Sequence, residues 1–332
     1  MSKQALLSLT FSEFGQVARE MGLESYRARQ VWEWIIRKQV LDFASMTNLP
    51  LDVRQKLAER FPAIVPEALD CLADPDGTKK ILLPLADGEG VEAVSIPDDD
   101  SLTFCLSSQI GCSIGCKFCR TGGMGFKRNL SASEILMQYF GLCRATWKKP
   151  SNIVFMGMGE PFLNPNGVFG AVDLLTDKQG INLATRRITV STAGIPKGIL
   201  DLSERPGEVN LAVSLHAADD ETRSFLVPLN KKYPLDVLRR AVETYLARTN
   251  RRVSFEVVLL KGVNDGIDHA MNLVEFCRGL LCHVNLIRFN AFPSCSFKPA
   301  SEQAEKEFRK ELKKAGITAT VRKSRGASIL AA

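Results

Sequence analysis

The sequence has no run of apolar residues long enough to cross a bilayer, and its opening stretch, Met1 to Glu20, lacks the uninterrupted apolar core of a signal peptide. The expectation is a cytoplasmic protein with no membrane partner. Internal repeats and low-complexity tracts are also missing, which excludes a repeat array and a disordered spacer. Neither sign of charge dominates. The 43 Lys and Arg against 37 Asp and Glu leave a net charge of +6, which permits an RNA partner without demanding one. Nine cysteines are too dilute in 332 residues, and odd in number, for a disulfide framework. Three of them cluster, which points to metal or redox chemistry in a reducing compartment. What remains, 45% hydrophobic and 24% charged residues, describes a globular chain with a well-buried core, long enough for one large domain and a smaller one.

Residues 11–62 carry apolar positions at helical spacing, as in Val31, Trp32, Ile35 and Ile36, with Pro50 and Pro62 punctuating the end of the pattern. Residues 1–66 are therefore read as a small helical N-terminal accessory domain. Over residues 67–98 short apolar runs, Lys80 to Leu83 and Val91 to Ile96, are separated by Asp76-Gly77 and Asp87-Gly88. Those turn signals predict a β-hairpin extension. Residues 99–332 form the core unit. Within it the apolar runs 102–106, 152–156, 187–190, 210–215, 253–260 and 284–289 alternate with amphipathic helical stretches. Six such units in series predict an α/β fold with a parallel sheet, because each return to a parallel neighbour needs a helical crossover. Ser131 with Glu134 forms a capping-box pattern, and Asp236 follows Pro234 at another helix start. The sheet either closes, or nearly closes, as a barrel or stays open and doubly wound; alternation alone does not separate the two.

The sharpest signal is Cys112-Ser-Ile-Gly-Cys116-Lys-Phe-Cys119, three thiols within eight residues on a glycine-rich loop directly after a predicted strand. Iron–sulfur clusters normally take four cysteine ligands, so three leave one iron of a cubane open to an exogenous ligand. A structural zinc site is the alternative. It wants a fourth Cys or His nearby, usually with paired cysteines on two knuckles, and no other cysteine here shows that pairing. The spacing resembles the defining motif of the radical S-adenosylmethionine superfamily. In that superfamily the open iron binds the cofactor's amino and carboxylate groups, and reductive cleavage gives a 5′-deoxyadenosyl radical.

A parallel sheet collects its ligand site at the carboxyl ends of its strands. Those ends are polar in this sequence: Gly159 and Glu160 after the second strand, Ser191 and Thr192 on the third, Ser214, Leu215 and His216 on the fourth, Asn290 after the sixth. Singly, Glu160 reads as a turn residue, Ser191 as a helix cap and His216 as a core histidine. Together, on the same rim as the cysteines, they read as one cofactor pocket.

Cys105-Leu-Ser-Ser-Gln-Ile-Gly-Cys112, Met156-Gly-Met-Gly-Glu-Pro161, Ser214-Leu-His216 and Asn285-Leu-Ile-Arg-Phe-Asn290 together resemble the adenine-methylating radical enzymes of the RlmN and Cfr family, over nearly the whole chain. The resemblance implies a partial, TIM-like barrel of six strand and helix units, a 4Fe–4S cluster held by Cys112, Cys116 and Cys119, and S-adenosylmethionine contacted by Gly159, Glu160, Ser191, Ser214, Leu215, His216 and Asn290. It implies a product methylated at C2 or C8 of adenine in ribosomal or transfer RNA, with C2 favoured, and an electron donor such as a flavodoxin or ferredoxin. Glu92 falls where the family places its proton-accepting carboxylate. Cys105 falls where it places the thiol that resolves a covalent protein–RNA adduct. The family's methyl-carrying cysteine falls directly after the position of Ala332, so the sequence ends one residue short of it. The expectation is either a truncated sequence or a paralogue without methyl-cysteine chemistry, with Cys295, in the loop after the last strand, as a conceivable substitute. Cys71, Cys143, Cys277 and Cys282 read as small core residues.

Lys117, Arg120, Lys127 and Arg128 bracket the cysteine loop, and Arg322, Lys323 and Arg325 lie in the final segment. Phosphate contact is one role for both groups; a solvated basic surface is the other. Arg186-Arg187 and Arg251-Arg252 precede strands on the opposite rim and read as surface. A target adenine has to be splayed from its stack to reach a buried cofactor. Two further classes stay open at this point, a radical enzyme of altered reaction and a non-catalytic RNA-binding paralogue. Retention of Glu92, Cys105 and the whole polar rim argues against mere binding.

Overall fold

The computed structural model describes residues 5–61, 67–293, 295–322 and 324–331. Three helices come first: α1 (Phe11–Glu20), α2 (Ser25–Ile36) and α3 (Leu51–Arg60). Thr10 opens α1 with a reciprocal capping box to Glu13, and Val31, Trp32, Ile35 and Ile36 are buried along one face of α2, as their spacing requires. The strands β1 (Asp70–Ala73), β2 (Lys79–Pro84), β3 (Gly90–Asp98) and β4 (Ser101–Cys105) follow as an antiparallel meander. Two of its three turns fall at the Asp-Gly pairs, where Gly77 and Gly88 take φ of 87° and 85°, a region open to glycine at little cost, and the third is at Asp99-Asp100.

The cysteine loop carries a small hairpin, β5 (Gln109–Gly111) with β6 (Phe126–Asn129), and a single turn of helix, α4 (Arg120–Gly123). Then helices and strands alternate: α5 (Ala132–Thr146), β7 (Asn152–Phe155), α6 (Pro165–Thr176), β8 (Ile188–Thr192), α7 (Pro196–Glu204) and β9 (Asn210–Ser214). The series continues through α8 (Asp220–Leu226), α9 (Leu235–Thr249), β10 (Val253–Leu259), α10 (Ile267–Cys277), β11 (Cys282–Arg288), α11 (Glu302–Lys314) and β12 (Ala319–Arg322). The predicted Ser131–Glu134 capping box is present on α5. No helix among the described residues is long and apolar enough to cross a membrane.

One sheet of ten strands runs in the order β1-β2-β3-β4-β7-β8-β9-β10-β11-β12. The six expected strands are parallel neighbours in sequence order, and β12 adds a seventh parallel member that the sequence reading did not include. The hairpin strands continue this same sheet through β3 and β4. The sheet curls. The segment after β12 reaches the β1–β2 turn, with the Gly326 amide donating to Asp76 (3.0 Å) and the Ser328 amide to Asp74 (3.0 Å). The partial barrel is thus borne out, and the doubly wound alternative is not.

The strand register separates two faces, since successive side chains alternate. On the outer face Ile153, Phe155, Val190, Leu211, Val213, Phe255, Val257, Val284 and Leu286 are buried in one core with the helices. Each such side chain contributes about 1.5–3 kcal/mol of burial. The inner face carries the residues of opposite parity, among them the polar Lys80, Glu92, Cys105, Ser191, Ser214, Glu256, Asn285 and Arg322 beside the apolar Val94, Val154, Ala212 and Val258. A lining with polar groups inside an apolar shell is what a ligand-holding barrel requires.

Candidate functional site

The cysteine loop leaves β4 and folds over the carboxyl end of the sheet. Gly111 takes φ of 72°, and a Cβ there would stand 1.8 Å from the Gly125 carbonyl, so only glycine lets β6 return against β5. The Cys112 amide donates to the Gly125 carbonyl (2.9 Å), and the Lys117 amide to the Leu226 carbonyl at the end of α8 (3.0 Å). Cys112 and Cys116 pack against an apolar patch that includes Ile114, Ala193, Leu226, Val227 and Phe289. Burial pushes the Cys112 thiol up to about 11 and raises Cys116 as well, where charge on Cys119 and Cys112 adds to the effect.

Three thiols on one loop, two of them raised by burial, call for a polycationic partner. Cys112, Cys116 and Cys119 share one short loop above the strand ends, and three thiolates leave one iron of a cubane open to a further ligand, so the residues fit a three-cysteine cluster.

Glu160 follows β7. Gly159 before it has φ of 101°, and a Cβ there would meet the Gln109 side chain at 2.5 Å. The Gln109 carbonyl oxygen Oε1 accepts from the Glu160 amide (2.8 Å). The Glu160 carboxylate, 3% exposed, accepts from the Ala193 amide (2.6 Å) and the Phe162 amide (3.1 Å), tying the ends of β7 and β8 together. Burial raises its pKa to about 7, against the pull of those amides. An arriving ammonium would restore its charge. Ser191 and Ser214 place their hydroxyls 3.3 Å apart on neighbouring strands.

His216 sits at φ of 61°, held there because its Nδ1 accepts from the Val258 amide (3.2 Å) and its carbonyl from Asn264 Nδ2 (2.7 Å). That bond fixes the Nε2–H tautomer, and burial lowers the ring's pKa to about 3, so it is a neutral donor. The Phe118 ring, between two cysteines, meets it edge-on at 4.6 Å. Leu215 behaves differently. Its side chain is in the main apolar core, its amide donates to the Glu256 carbonyl and its carbonyl accepts from Arg223, so it shapes the rim more than it presents a polar group. Asn290 Oδ1 accepts from the Ser324 hydroxyl (2.5 Å).

Cys105 and Glu92 lie on the same inner face, Cys105 opposite Val94 and Glu92 two residues before Val94 in β3. Burial pushes the Cys105 thiol up to about 11, and the nearby Arg322 guanidinium opposes this. Glu92 pairs with Lys80 at 3.3 Å.

The basic residues near the site have these partners. Lys127 pairs with Glu89 (2.7 Å), and Arg128 with Asp87 (2.5 Å) and Glu134 (2.8 Å). Arg322 is turned to Glu256 (3.6 Å) and Arg325 to Asp98 (3.1 Å); Lys323 lies outside the described residues. Lys117 stands over the Phe225 ring, and Arg120 is exposed. Cys71 is exposed on β1, not a core residue, while Cys143 and Cys277 are buried and Cys282 is partly so. Cys295 packs at the edge of the patch that holds Cys112 and Cys116.

Sequence reading missed Glu256, 2% exposed, whose Oε1 accepts from Asn285 Nδ2 (2.8 Å) while its Oε2 has no partner. A glutamate flanked by apolar residues within the strand Val253-Ser-Phe-Glu-Val-Val-Leu was the available signal. Arg223 was missed as well. It is fully buried behind the rim.

A three-cysteine loop over the carboxyl end of a curled parallel sheet defines a radical S-adenosylmethionine fold, and residues 106–274 match the family described as the Radical SAM superfamily. Residues 4–62 match the ribosomal RNA large subunit methyltransferase N-terminal domain. A dual-specificity RNA methyltransferase RlmN of Caldicellulosiruptor saccharolyticus is 41% identical over 331 residues, 99% of this chain and 96% of the relative. Its counterpart in Chlorobium phaeobacteroides is 41% identical over 335 residues, 98% and 92% of the two chains. The crystal structure of a radical SAM methyltransferase from Sphaerobacter thermophilus superposes with a TM-score of 0.96 at 43% identity, covering 99% of this chain and 98% of that one. The chain belongs to the RlmN family of radical S-adenosylmethionine RNA methyltransferases.

Proposed function

We propose that this protein methylates adenine in ribosomal RNA, transfer RNA or both, at C2 in preference to C8. The observation that carries the reading is the shared inner face. Glu92 and Cys105 lie on the lining that also bears Ser191 and Ser214, beneath the rim where Glu160 and the cysteine loop stand. Cys112, Cys116 and Cys119 hold a 4Fe–4S cluster, which supplies, with S-adenosylmethionine and one electron, a primary carbon radical. That chemistry answers a need, because the hydrogen on C2 of adenine is not acidic enough for polar methyl transfer.

The remaining roles belong to the chain's own groups. Glu160 receives the cofactor ammonium beside Gly159. Ser191, Ser214 and the neutral His216 donor address its polar edges, Leu215 closes the wall and Asn290 marks the far side. Glu92 would accept the proton leaving the base, and Cys105 would attack the sulfur of the protein–RNA thioether, so that a disulfide forms as the carbon–sulfur bond breaks and the methylated base keeps the electron pair and takes up a proton. In the family the partner thiol of that step directly follows the position occupied here by Ala332. A flavodoxin or ferredoxin supplies the electron, and the cytoplasm is the working compartment.

The test is anaerobic reconstitution with iron and sulfide, then dithionite and S-adenosylmethionine. Formation of 5′-deoxyadenosine and of methyladenosine in RNA digests is expected; absence of both, from protein carrying a full cluster, defeats the reading.

A further inference from the structure

Arg223 is among the largest side chains in the protein to be wholly buried, at 1% exposure. Its Nε donates to the Leu215 carbonyl (3.1 Å), Nη1 to Asn230 Oδ1 (2.6 Å) and Nη2 to the Ala193 carbonyl (2.6 Å). All three acceptors are neutral. Two carboxylates border this network one residue removed, the exposed Asp220 through Asn230 (2.8 Å) and the buried Glu160 through the Ala193 amide (2.6 Å), and neither accepts from the guanidinium itself. Burial lowers the guanidinium to about 10, so it remains a cation near neutrality. Neutral acceptors orient such a charge without cancelling it, and a buried charge left uncompensated is strongly unfavourable.

The compensating charge has an obvious place. α8, which carries Arg223, ends on the cysteine loop, where the Lys117 amide donates to the Leu226 carbonyl (3.0 Å). Leu226 and Val227 pack with Cys112 and Cys116.

We propose that Arg223 is the counter-ion of the iron–sulfur cluster, a fixed cation behind the cysteine loop that raises the cluster's reduction potential and, through Ala193 and Leu215, sets the strand ends facing the cofactor. The proposal rests on the cluster assignment above. Three thiolates outweigh the charge of an oxidised cubane core, and the incoming electron makes the centre more negative still. A fixed positive charge in a low-dielectric interior therefore favours the reduced state. Arginine suits the position because its planar fork reaches three acceptors at once, which a lysine ammonium does with less pre-organisation.

The decisive experiment is a redox titration, followed by electron paramagnetic resonance, of full-length reconstituted protein without substrate. Arg223→Lys keeps the charge and is expected to hold the midpoint potential close to wild type. Arg223→Gln removes the charge and is expected to lower it. Asp220→Asn, whose amide oxygen still accepts from Asn230 and Leu235, removes the opposing charge and is expected to raise it.

Equal shifts in Arg223→Lys and Arg223→Gln would mean a purely structural part and overturn the proposal, as would unchanged potentials throughout. If Arg223→Gln fails to hold a cluster, Asp220→Asn decides: a rise supports the proposal and an unmoved potential overturns it. Wild-type protein that assembles a cluster but forms no deoxyadenosine would defeat the function proposed above and leave this titration to be judged alone.

Discussion

Lys80 Nζ lies 3.3 Å from Glu92 Oε1 and 3.3 Å from the Leu330 carbonyl, so one buried ammonium joins the inner-face carboxylate to the segment that follows β12. The Lys80 side chain is 8% exposed and that of Glu92 44%. Glu92 is thus held on one side and open on the other, as a group that must meet a substrate proton should be. Replacing Glu92 by Gln is expected to lower methyl transfer about 10²-fold, the lower end for loss of an acid–base group. Lys80→Met should cost less, about tenfold, because the carboxylate remains but loses its anchor, and Lys80→Arg should recover part of it. Single-turnover methylation checks this, with the cluster absorbance unchanged in all three variants.

A second expectation concerns the cofactor carboxylate. Glu160 already accepts two backbone amides, so it is pre-oriented before any ligand arrives. Glu160→Gln turns an amide NH2 toward one of those donors and removes the charge that meets an ammonium. Loss of a charge-assisted hydrogen bond, about 1.5–3 kcal/mol, corresponds to S-adenosylmethionine binding weakened by about 10- to 100-fold. Calorimetry on reconstituted protein reads it; an unchanged Kd would remove Glu160 from the pocket.

The third follows from what alternation inside the strands conveyed and what it concealed. Cys112, Cys116 and Cys119 were legible because three thiols in eight residues are a local pattern, and Glu160, Ser191 and His216 because they end predicted strands. Leu215 was legible as a neighbour but not as a core side chain, since parity is lost where the strand stops. Glu256, Asn285 and Arg322 come together only through the pairing of β10, β11 and β12, and β12 itself is four residues long. A short strand with alternating exposure carries little signal until its neighbour is known.

The Glu256 carboxylate is buried with Oε2 unpartnered, and the Arg322 guanidinium stands 3.6 Å from its Oε1, which also accepts from Asn285. Arg322→Met should therefore destabilise the apo-protein by about 1–3 kcal/mol. Glu256→Gln alone should be nearly neutral, and the double variant should recover most of the loss. Equilibrium urea unfolding of the four proteins completes the cycle. Additive losses would show that the two side chains do not interact.

The final expectation concerns how the segment after β12 is fastened to the β1–β2 turn. Asp76 Oδ2 accepts from the Gly326 amide (3.0 Å), and Asp74 Oδ2 from both the amide (3.0 Å) and the hydroxyl (2.6 Å) of Ser328. Burial acts to raise the Asp76 pKa, but the hydrogen bonds from Thr78 and Gly326 outweigh it and bring the group to about 2, below the ordinary aspartate value. A folded pKa below the unfolded one means that this fastening is complete above about pH 4 and is lost as pH falls toward about 2. Asp74→Ala with Asp76→Ala should release the segment at neutral pH while leaving the sheet intact, because both side chains lie at a surface turn. Amide exchange at Gly326 and Ser328 should then rise to the rate of an open chain, with β2 and β3 still protected. Faster exchange across β2 as well would show that the turn carboxylates hold the hairpin itself, and unchanged exchange would show that Lys80 and Arg325 suffice to keep the segment in place.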